Sequence, residues 1–197
     1  MSKILFASNN PGKLTEAKQI LSGFEVVSPA DINLDPAFDP EESGTTFEAN
    51  SFIKAKAFAL QTGLVSIADD SGLEVDALDG RPGVYSKRYG NDDEHRNLKL
   101  LEELKDIPQD KRTARFVSAI TLYDPNTLKH VSVRGTVEGS IALESRGDQG
   151  FGYDPVFIPN DFAPNTFAQV GPQEKNQISH RARALEKIKQ LLTDNFS

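Results

Sequence analysis

The hydrophobic pattern at the start of the chain predicts a strand followed by a helix. Residues 3–7 are mostly apolar, and they run into the turn-forming residues 8–12. A short apolar run that ends in a turn is typical of a strand covered on both faces. A set of apolar residues then recurs at helical spacing, and Gly23 follows this set as a signal that the helix ends. The members of that set are Leu14, Ala17 and Leu21.

A second helix is predicted after an acidic loop. Residues 31–42 are acidic and contain two prolines, which favours an irregular surface segment. Residues 45–48, Thr-Thr-Phe-Glu, offer a capping box in which Thr45 bonds the backbone and Glu48 reaches back. The helix is expected to continue to Thr62. Its predicted buried face comprises Ala49, Ile53, Ala57 and Leu60.

Two aspartates interrupt the next strand pattern. Residues 64–68 form an apolar run, residues 69–72 read Asp-Asp-Ser-Gly, and residues 73–77 alternate like a half-buried strand. Asp69 and Asp70 are therefore predicted to lie at a strand end, where ligand clefts form in α/β sheets. Because neighbours in an extended chain point to opposite faces, one aspartate of the pair is expected to reach a given site.

The remainder of the chain predicts an antiparallel pair and two further helices. Residues 113–123 and 128–137 are strand candidates joined by a polar turn, and residues 156–158 form a short strand. Asp92 or Asp93 is expected to cap a helix. Its apolar positions are Leu98, Leu101 and Leu104. Those of the last helix are Ala182, Leu185, Ile188 and Leu192.

Composition narrows the class of protein. A chain of 197 residues fits one domain, or two lobes around one cleft. Its net charge of −7 excludes a basic nucleic-acid wrapper, and its lack of cysteine excludes disulfides, thiol nucleophiles and thiolate metal sites. The first apolar run is too short for a signal peptide or a membrane span. We expect a cytoplasmic protein with no nucleic-acid or membrane partner.

Two basic groups are candidates for binding phosphate. The turn from Ser8 to Lys13 places backbone N–H groups and a lysine at a predicted helix start, although it lacks the spacing of a Walker loop. Lys54 lies four residues after Asn50, so the two share a helix face. The alternatives are a polar turn with a solvated lysine and an exposed lysine on an amphipathic helix.

Acidic groups are candidates for binding a metal. Asp70, with a second carboxylate from Glu41 or Glu42, offers the oxygen ligands that Mg²⁺ prefers. The alternative is an ordinary turn formed by the Asp-Asp-Ser-Gly segment. The three histidines do not form a recognisable metal set, so Mg²⁺ or Mn²⁺ on carboxylates is favoured over a histidine-ligated transition metal.

Aromatic residues between glycines are candidates for binding a base. Residues 151–154, Phe-Gly-Tyr-Asp, offer rings that can stack on a flat base, and Arg181 offers a donor to an oxygen on its edge. The alternative places Phe151 in the core and Tyr153 at a rim.

Together, and in this order, these segments resemble the inosine triphosphate pyrophosphatase family. The resemblance spans residues 8–181 and rests on seven motifs, which is far more specific than any one of them. The motifs are Ser8 to Lys13, Thr46 to Asn50 with Lys54-Ala55, Ala68 to Leu73, Pro82 to Ser86 with Arg88-Tyr89, Ala114 to Phe116, Gly150 to Pro155, and Lys175-Asn176 with Ser179 to Arg181.

The resemblance implies an α/β fold over residues 1–197, with a long mixed sheet, flanking helices and two lobes around a central cleft, usually as a homodimer. It implies that ITP, dITP or XTP and water give the monophosphate and pyrophosphate, with Mg²⁺ bound by Glu42 and Asp70, and Asp70 as general base. The implied substrate contacts are Ser8, Asn9, Asn10, Pro11, Gly12, Lys13, Lys54, Ser71, Phe151, Gly152, Tyr153, Asp154, Lys175, His180 and Arg181.

Three departures and two alternatives accompany the resemblance. Ala49, Ser51 and Lys87 replace the usual Glu, Ala and Ala, beside the reactive positions. The alternatives are a Maf-like pyrophosphatase with a preference for UTP or TTP, and a nucleotide-binding module without catalysis. The sequence does not select among ITP, dITP and XTP.

Overall fold

The computed structural model describes residues 3–196, apart from the side chains at positions 172, 176, 195 and 196; the motif residue Asn176 is therefore covered by its backbone alone. The strands are β1 Lys3–Phe6, β2 Glu25–Val27, β3 Val65–Val75, β4 Thr113–Tyr123, β5 His130–Ile141 and β6 Phe157–Pro159. The α-helices are α1 Pro11–Ile20, α2 Phe47–Thr62, α3 Asp93–Glu103, α4 Pro172–Ile178 and α5 His180–Phe196.

The strands form one mixed sheet in the order β2-β1-β3-β4-β5-β6. β1 pairs in parallel with β2 and β3, whereas β5 and β6 are antiparallel. β4 and β5 also run antiparallel. At one end of the pair the Asp124 N–H donates to the Lys129 carbonyl, and at the other end the Ile141 N–H donates to the Arg112 carbonyl. The predicted α/β class with a long mixed sheet and flanking helices is confirmed. The single domain with two lobes and a cleft stays a prediction.

The chain divides into two compact units. The first comprises Met1–Asp70, Ser118–Gly135 and Arg181–Ser197; the second comprises Ser71–Val117 and Thr136–His180. In the first unit, Ile4 and Phe6 of β1 pack in a cluster with α1 and α5, while Leu5 and Ala7 pack in another with α2. The first strand is thus covered on both faces, as its apolar run predicts.

The second unit has its own core on β3, β4 and β6. Leu73, Phe116 and Phe157 belong to one buried cluster, which also contains Leu100 of α3 and Leu104, the residue that caps the end of α3. The prediction that Leu98 is part of the apolar stripe of α3 is wrong, because this side chain is 57% exposed. Within residues 3–196, no helix is both long and apolar enough to span a membrane.

Two predictions about α2 are also wrong. The N-cap is Thr46 rather than Thr45, because the hydroxyl oxygen of Thr46 accepts a hydrogen bond from the Ala49 N–H. The buried face is shifted from the predicted one, and Leu60 is 54% exposed. The buried face includes the polar residues Asn50 and Ser51, which a pattern search for apolar residues misses. The face buries Phe47, Asn50, Ser51, Ala55, Phe58 and Ala59.

Candidate active site

The turn after β1 is arranged as the sequence predicts. Asn10 caps α1, because its Oδ1 accepts a hydrogen bond from the Lys13 N–H at 3.1 Å. Pro11, the first residue of α1, has no N–H. The next backbone donor is the Gly12 N–H, which has no partner among the described residues. Exposed Asn9 lies beside half-buried Ser8. This end of α1 can therefore donate to an anion.

Asp69 and Asp70 lie inside β3, not at a strand end. β3 runs unbroken from Val65 to Val75, which corrects the predicted break at residues 69–72. Strand alternation places the two carboxylates on opposite faces. Asp69 follows the register of Ile67, which packs with α1 and α5, and Asp70 follows that of Ala68, which packs with α2.

Asp69 is the centre of a buried charge network. Its Oδ2 pairs with Lys13 Nζ and with Arg181 Nε, both at 2.9 Å, and its Oδ1 accepts a hydrogen bond from the Ser118 hydroxyl at 2.6 Å. Arg181 Nη1 also pairs with buried Glu16 at 2.7 Å. Asp69 therefore holds the Lys13 and Arg181 side chains in place.

The pKa values of this network follow from these contacts. Burial alone would raise the pKa of Asp69, but Lys13 and Arg181 hold it well below its ordinary value. Burial lowers the pKa of Lys13 against the opposing effect of Asp69. Burial likewise disfavours the charged Arg181, but Asp69 and Glu16 outweigh it and raise the guanidinium pKa.

Asp70 has the opposite environment. It is 9% exposed, and its Oδ2 accepts a hydrogen bond from Asn50 Nδ2 at 3.1 Å. Burial raises the pKa of Asp70 to about 6, and the negative charges of Glu42 and Asp69 act in the same direction, while Asn50 and Lys13 oppose them. A carboxylate that titrates near neutrality can accept a proton from a reacting group.

Asn50 is itself held by the loop that carries Glu42. The Gly44 N–H donates to Asn50 Oδ1 at 2.8 Å, so the amide group of Asn50 directs its Nδ2 towards Asp70. The approach requires glycine, because a Cβ at position 44 would lie 2.7 Å from both Asn50 Oδ1 and the Ala49 Cβ. Gly44 therefore couples the acidic loop to the candidate base.

Glu42 and Lys54 form an ion pair in the same unit. The acidic loop thus presents Glu42, rather than Glu41, to α2. Within residues 3–196 no group of three or more His, Asp or Glu side chains is placed to hold a metal ion. Asp70 and Glu42 lie close enough for the charge of Glu42 to raise the pKa of Asp70.

The loop at residues 150–154 is built in the second unit. Asp154 Oδ2 accepts hydrogen bonds from the Phe151 N–H at 2.8 Å and from Lys175 Nζ at 2.6 Å. Lys175 Nζ also lies 4.7 Å from the centroid of the half-buried Phe151 ring. Gly150, at φ 80°, passes so close to Asp154 that a Cβ would meet the carboxylate.

Two of the predicted base contacts are placed in the core of this unit. Tyr153 is 4% exposed and its hydroxyl donates to the Ser86 carbonyl at 2.8 Å, so it supports the loop from beneath instead of forming a rim. His180 is also buried and stacks on Phe116, with centroids 4.8 Å apart and planes at 11°. Phe151, by contrast, is not a core residue.

Arg181 and Ser71 complete the predicted set. Arg181 is 2% exposed, and its Nε and Nη1 donate to carboxylates of the first unit; its predicted role as a donor to a base edge stays a prediction. Ser71 is half-buried and directly follows Asp70 in β3. Ser51, a departure from the family pattern, donates or accepts a hydrogen bond with Thr121 at 2.8 Å.

Several supporting residues carry no sequence signal that distinguishes them. Gly44 looks like any loop glycine, and its role depends on a contact six residues away. Ser118 and Glu16 serve Asp69 and Arg181 across long stretches of chain. Such partners are set by tertiary packing, which residue spacing does not reveal.

Comparisons with known proteins find relatives over nearly the whole chain. Residues 4–191 match the model of the Ham1 family. The chain is 47% identical over 197 residues to the dITP/XTP pyrophosphatase of Bacillus subtilis strain 168, with 98% of each chain covered. It is 47% identical over 191 residues to the dITP/XTP pyrophosphatase of Mycolicibacterium paratuberculosis, with 94% of this chain and 93% of the relative covered.

Solved structures show the same fold. A HAM1 protein from Coxiella burnetii has a TM-score of 0.88 at 40% identity and is matched over 98% of this chain and 100% of its own. The Ham1 protein of Staphylococcus aureus has a TM-score of 0.87 at 40% identity, over 98% and 99% of the two chains.

Proposed function

Because the chain belongs to the Ham1 family, we propose that it hydrolyses non-standard purine nucleoside triphosphates to the monophosphate and pyrophosphate. The names of the relatives, dITP/XTP pyrophosphatases, support dITP and XTP as substrates, with ITP as the ribose analogue of dITP. The observation that carries the proposal is a buried Asp70 with a pKa of about 6, in one unit with Lys13 and Lys54.

The first unit binds the triphosphate in this proposal. The Gly12 N–H and the positive end of α1 attract phosphate oxygens. Lys13 Nζ lies beside Asp69, which fixes its position. Lys54 leaves its ion pair with Glu42 to contact the phosphates, so binding exchanges one negative partner for another.

Asp70 acts as the general base. It accepts a proton from a water molecule whose oxygen attacks the α-phosphorus, the bond from that phosphorus to the bridging oxygen breaks, and pyrophosphate leaves with the bonding electrons. The Asn50 hydrogen bond holds Oδ2 of the carboxylate, and the other carboxylate oxygen accepts the proton. General-base assistance typically contributes about 10²- to 10⁴-fold.

The carboxylates fit Mg²⁺, with Mn²⁺ as a substitute. Mg²⁺ is usually bound by one or two carboxylates together with waters and substrate phosphates, and Asp70 and Glu42 offer such a pair once Lys54 turns to the phosphates. When bound there, the ion supplies positive charge that offsets the triphosphate. A site that is completed by substrate needs no third protein carboxylate.

The second unit binds the base. The Phe151 ring offers a stacking surface, and the Lys175 ammonium beside it offers a donor to the 6-oxo group of hypoxanthine or xanthine. Adenine has an amino donor at that position and is rejected. Guanine is disfavoured by its 2-amino group, because an unpaired buried donor costs about 1–3 kcal/mol.

Phosphorus NMR of ITP with the protein and Mg²⁺ tests the proposal. We expect pyrophosphate and inosine monophosphate, and higher kcat/KM for ITP and XTP than for GTP and ATP. Orthophosphate as the product, or equal kcat/KM on all four nucleotides, would overturn it. Preference for UTP or TTP identifies the Maf-like alternative, and calorimetric binding of ITP without product identifies a binding module. Homodimeric assembly and a cytoplasmic location stay predictions.

A further inference from the structure

Two side chains of α3 hold the backbone of Gly152. Asp93 Oδ2 accepts a hydrogen bond from the Gly152 N–H at 2.7 Å, and Asn97 Nδ2 donates to the Gly152 carbonyl at 3.0 Å. Positions 93 and 97 are four residues apart, so these side chains share one face of the helix. A single helix therefore fixes both peptide groups that flank the Gly152 α-carbon.

The two side chains are themselves held in place. Arg96 forms an ion pair with Asp93, and its Nη1 donates to the Lys87 carbonyl at 2.8 Å. Asn97 is 5% exposed, and its Oδ1 has no hydrogen-bond partner within residues 3–196. A buried amide oxygen without a partner is costly, and a residue that only filled space would avoid this cost. The bond to Gly152 is what an asparagine adds at this position.

The loop needs such restraint because of its glycines. Gly150 and Gly152, at φ 80° and 66°, flank Phe151 in conformations that side-chain-bearing residues rarely adopt. Glycine also loses more conformational freedom than any other residue when it is fixed. External bonds that fix the loop before the ligand arrives lower the entropic cost of binding.

We propose that Asp93 and Asn97 are positioning residues that set base discrimination through Gly152 without touching the base. This inference rests on the proposed function, in which the loop at residues 150–154 binds the base. The α3 contacts hold the backbone that follows Phe151, which restricts where its ring can lie. The loop then accepts a 6-oxo purine without an amino group at position 2 and resists the shift that guanine requires.

The test uses isosteric variants of the full chain. Asp93→Asn removes the charge-assisted bond and the ion pair, and Asn97→Asp places a carboxylate oxygen opposite the Gly152 carbonyl. Glu94→Gln is the matched control, because this exposed residue lies in the same turn of α3 and loses the same charge as Asp93→Asn. Three quantities are measured: kcat and KM for ITP and for GTP, the calorimetric affinity for inorganic tripolyphosphate, and hydrogen exchange of the amides at residues 150–154.

We expect the ITP-to-GTP ratio of kcat/KM to fall about fivefold to tenfold in both α3 variants, mainly through the KM for ITP. Affinity for tripolyphosphate, which has no base, stays unchanged, which separates loop positioning from general loss of structure. Hydrogen exchange at residues 150–154 rises in both variants. The Glu94→Gln control matches the wild type in all three measurements.

Failure of the inference is distinguishable from failure of the proposed function. A wild-type ratio of ITP to GTP that persists in both variants overturns the inference and leaves the function standing. Unchanged hydrogen exchange at residues 150–154 in both variants also overturns it, whatever the kinetics. A rise in hydrogen exchange without a change in base preference refutes the role of the two residues in specificity. If the wild type releases no pyrophosphate from ITP, the proposed function itself is wrong.

Discussion

Asp69 and Asp70 are adjacent in sequence, yet their pKa values move in opposite directions. The cause is the geometry of one strand, which directs Asp69 to two cations and Asp70 to a single neutral donor and two negative neighbours. Paired charges remain ionised when buried, whereas an unpaired carboxylate is easier to protonate. Asp69 is thus suited to structure, and Asp70 to proton transfer.

Asp70→Asn is expected to reduce kcat for ITP by about 10²- to 10⁴-fold, because an amide cannot accept the proton of water. Binding of ITP is expected to persist with lower affinity, since Lys13, Lys54 and the Glu42 carboxylate are intact. Steady-state kinetics and calorimetry measure the two effects. Asp110→Asn, at an exposed position, serves as the control, and an unchanged kcat in Asp70→Asn would show that this aspartate is not the base.

The same substitution is expected to stabilise the ligand-free protein above pH 6. The folded-state pKa of about 6 lies above the ordinary value of 3.8, so the folded state holds the proton more tightly. Stability is therefore lost as pH rises from about 4 through 6, by about 1–3 kcal/mol in full. Asparagine does not ionise and avoids this loss.

Urea denaturation in a buffer with chelator measures this effect. The gain in unfolding free energy should be present at pH 8 and mostly lost at pH 3, below the ordinary pKa of 3.8, where the aspartate is mostly protonated in both states. An equal gain at both pH values would contradict the ionisation argument.

Gly44→Ala is expected to impair catalysis although position 44 bears no reactive group. The added Cβ would lie 2.7 Å from Asn50 Oδ1, so the loop must move and the bond to Asn50 is lost. Without a fixed Asn50 donor the pKa of Asp70 rises further, and we expect kcat to fall about tenfold with the acidic limb of the pH profile shifted upward. Gly171→Ala, whose Cβ meets nothing closer than 3.4 Å, should match the wild type. A wild-type pH profile in Gly44→Ala would disprove the coupling.

At the level of elements, the hydrophobic periodicity correctly predicts those strands and helices whose positions depend on the local apolar pattern. β1 and α5 are where the pattern places them, and the apolar stripe of α5 is buried. The break in β3 was predicted because paired aspartates are rare inside strands. Lys13 and Arg181 make Asp69 acceptable there, and both come from other elements. A pattern that lacks those partners cannot show that the strand continues.

The candidate site is likewise predictable from the sequence only in part. Motif order located Lys13, Lys54 and Asp70, which are brought into one unit. It could not show that Arg181 is occupied by two carboxylates, since that depends on the packing of α5 against α1 and β3. Motifs identify residues, whereas the contacts determine what each residue is available to do.

Arg181→Lys tests the link among these three elements. A lysine ammonium cannot serve Asp69 and Glu16 with the forked geometry of a guanidinium, so one buried carboxylate loses a partner. We expect the unfolding free energy to fall by about 1–3 kcal/mol, measured by urea denaturation at pH 7. Arg183→Lys, at an exposed position of the same helix, is expected to change it little. Equal losses in the two variants would show that the charge network adds nothing specific.

Across the whole molecule, a net charge of −7 opposes the approach of a polyanion. Lys13 and Lys54 do not remove this opposition by themselves, because Asp69 and Glu42 already pair with them. For the proposed function, we therefore expect tight binding of a triphosphate to require added positive charge at Glu42 and Asp70. This requirement concerns the phosphates and not the base.

Chelation of divalent cations tests that requirement in the intact protein. A ligand that binds the folded state raises the melting temperature by an amount that grows with the logarithm of its concentration divided by its dissociation constant. We expect ITP to raise it in the presence of Mg²⁺, to lose the effect in excess EDTA, and to regain it when Mg²⁺ is restored. Inosine, which has no phosphate, should give the same small shift with and without EDTA. An ITP shift that survives EDTA unchanged would mean that the lysines and the α1 terminus suffice for the triphosphate, and that Glu42 and Asp70 recruit no cation.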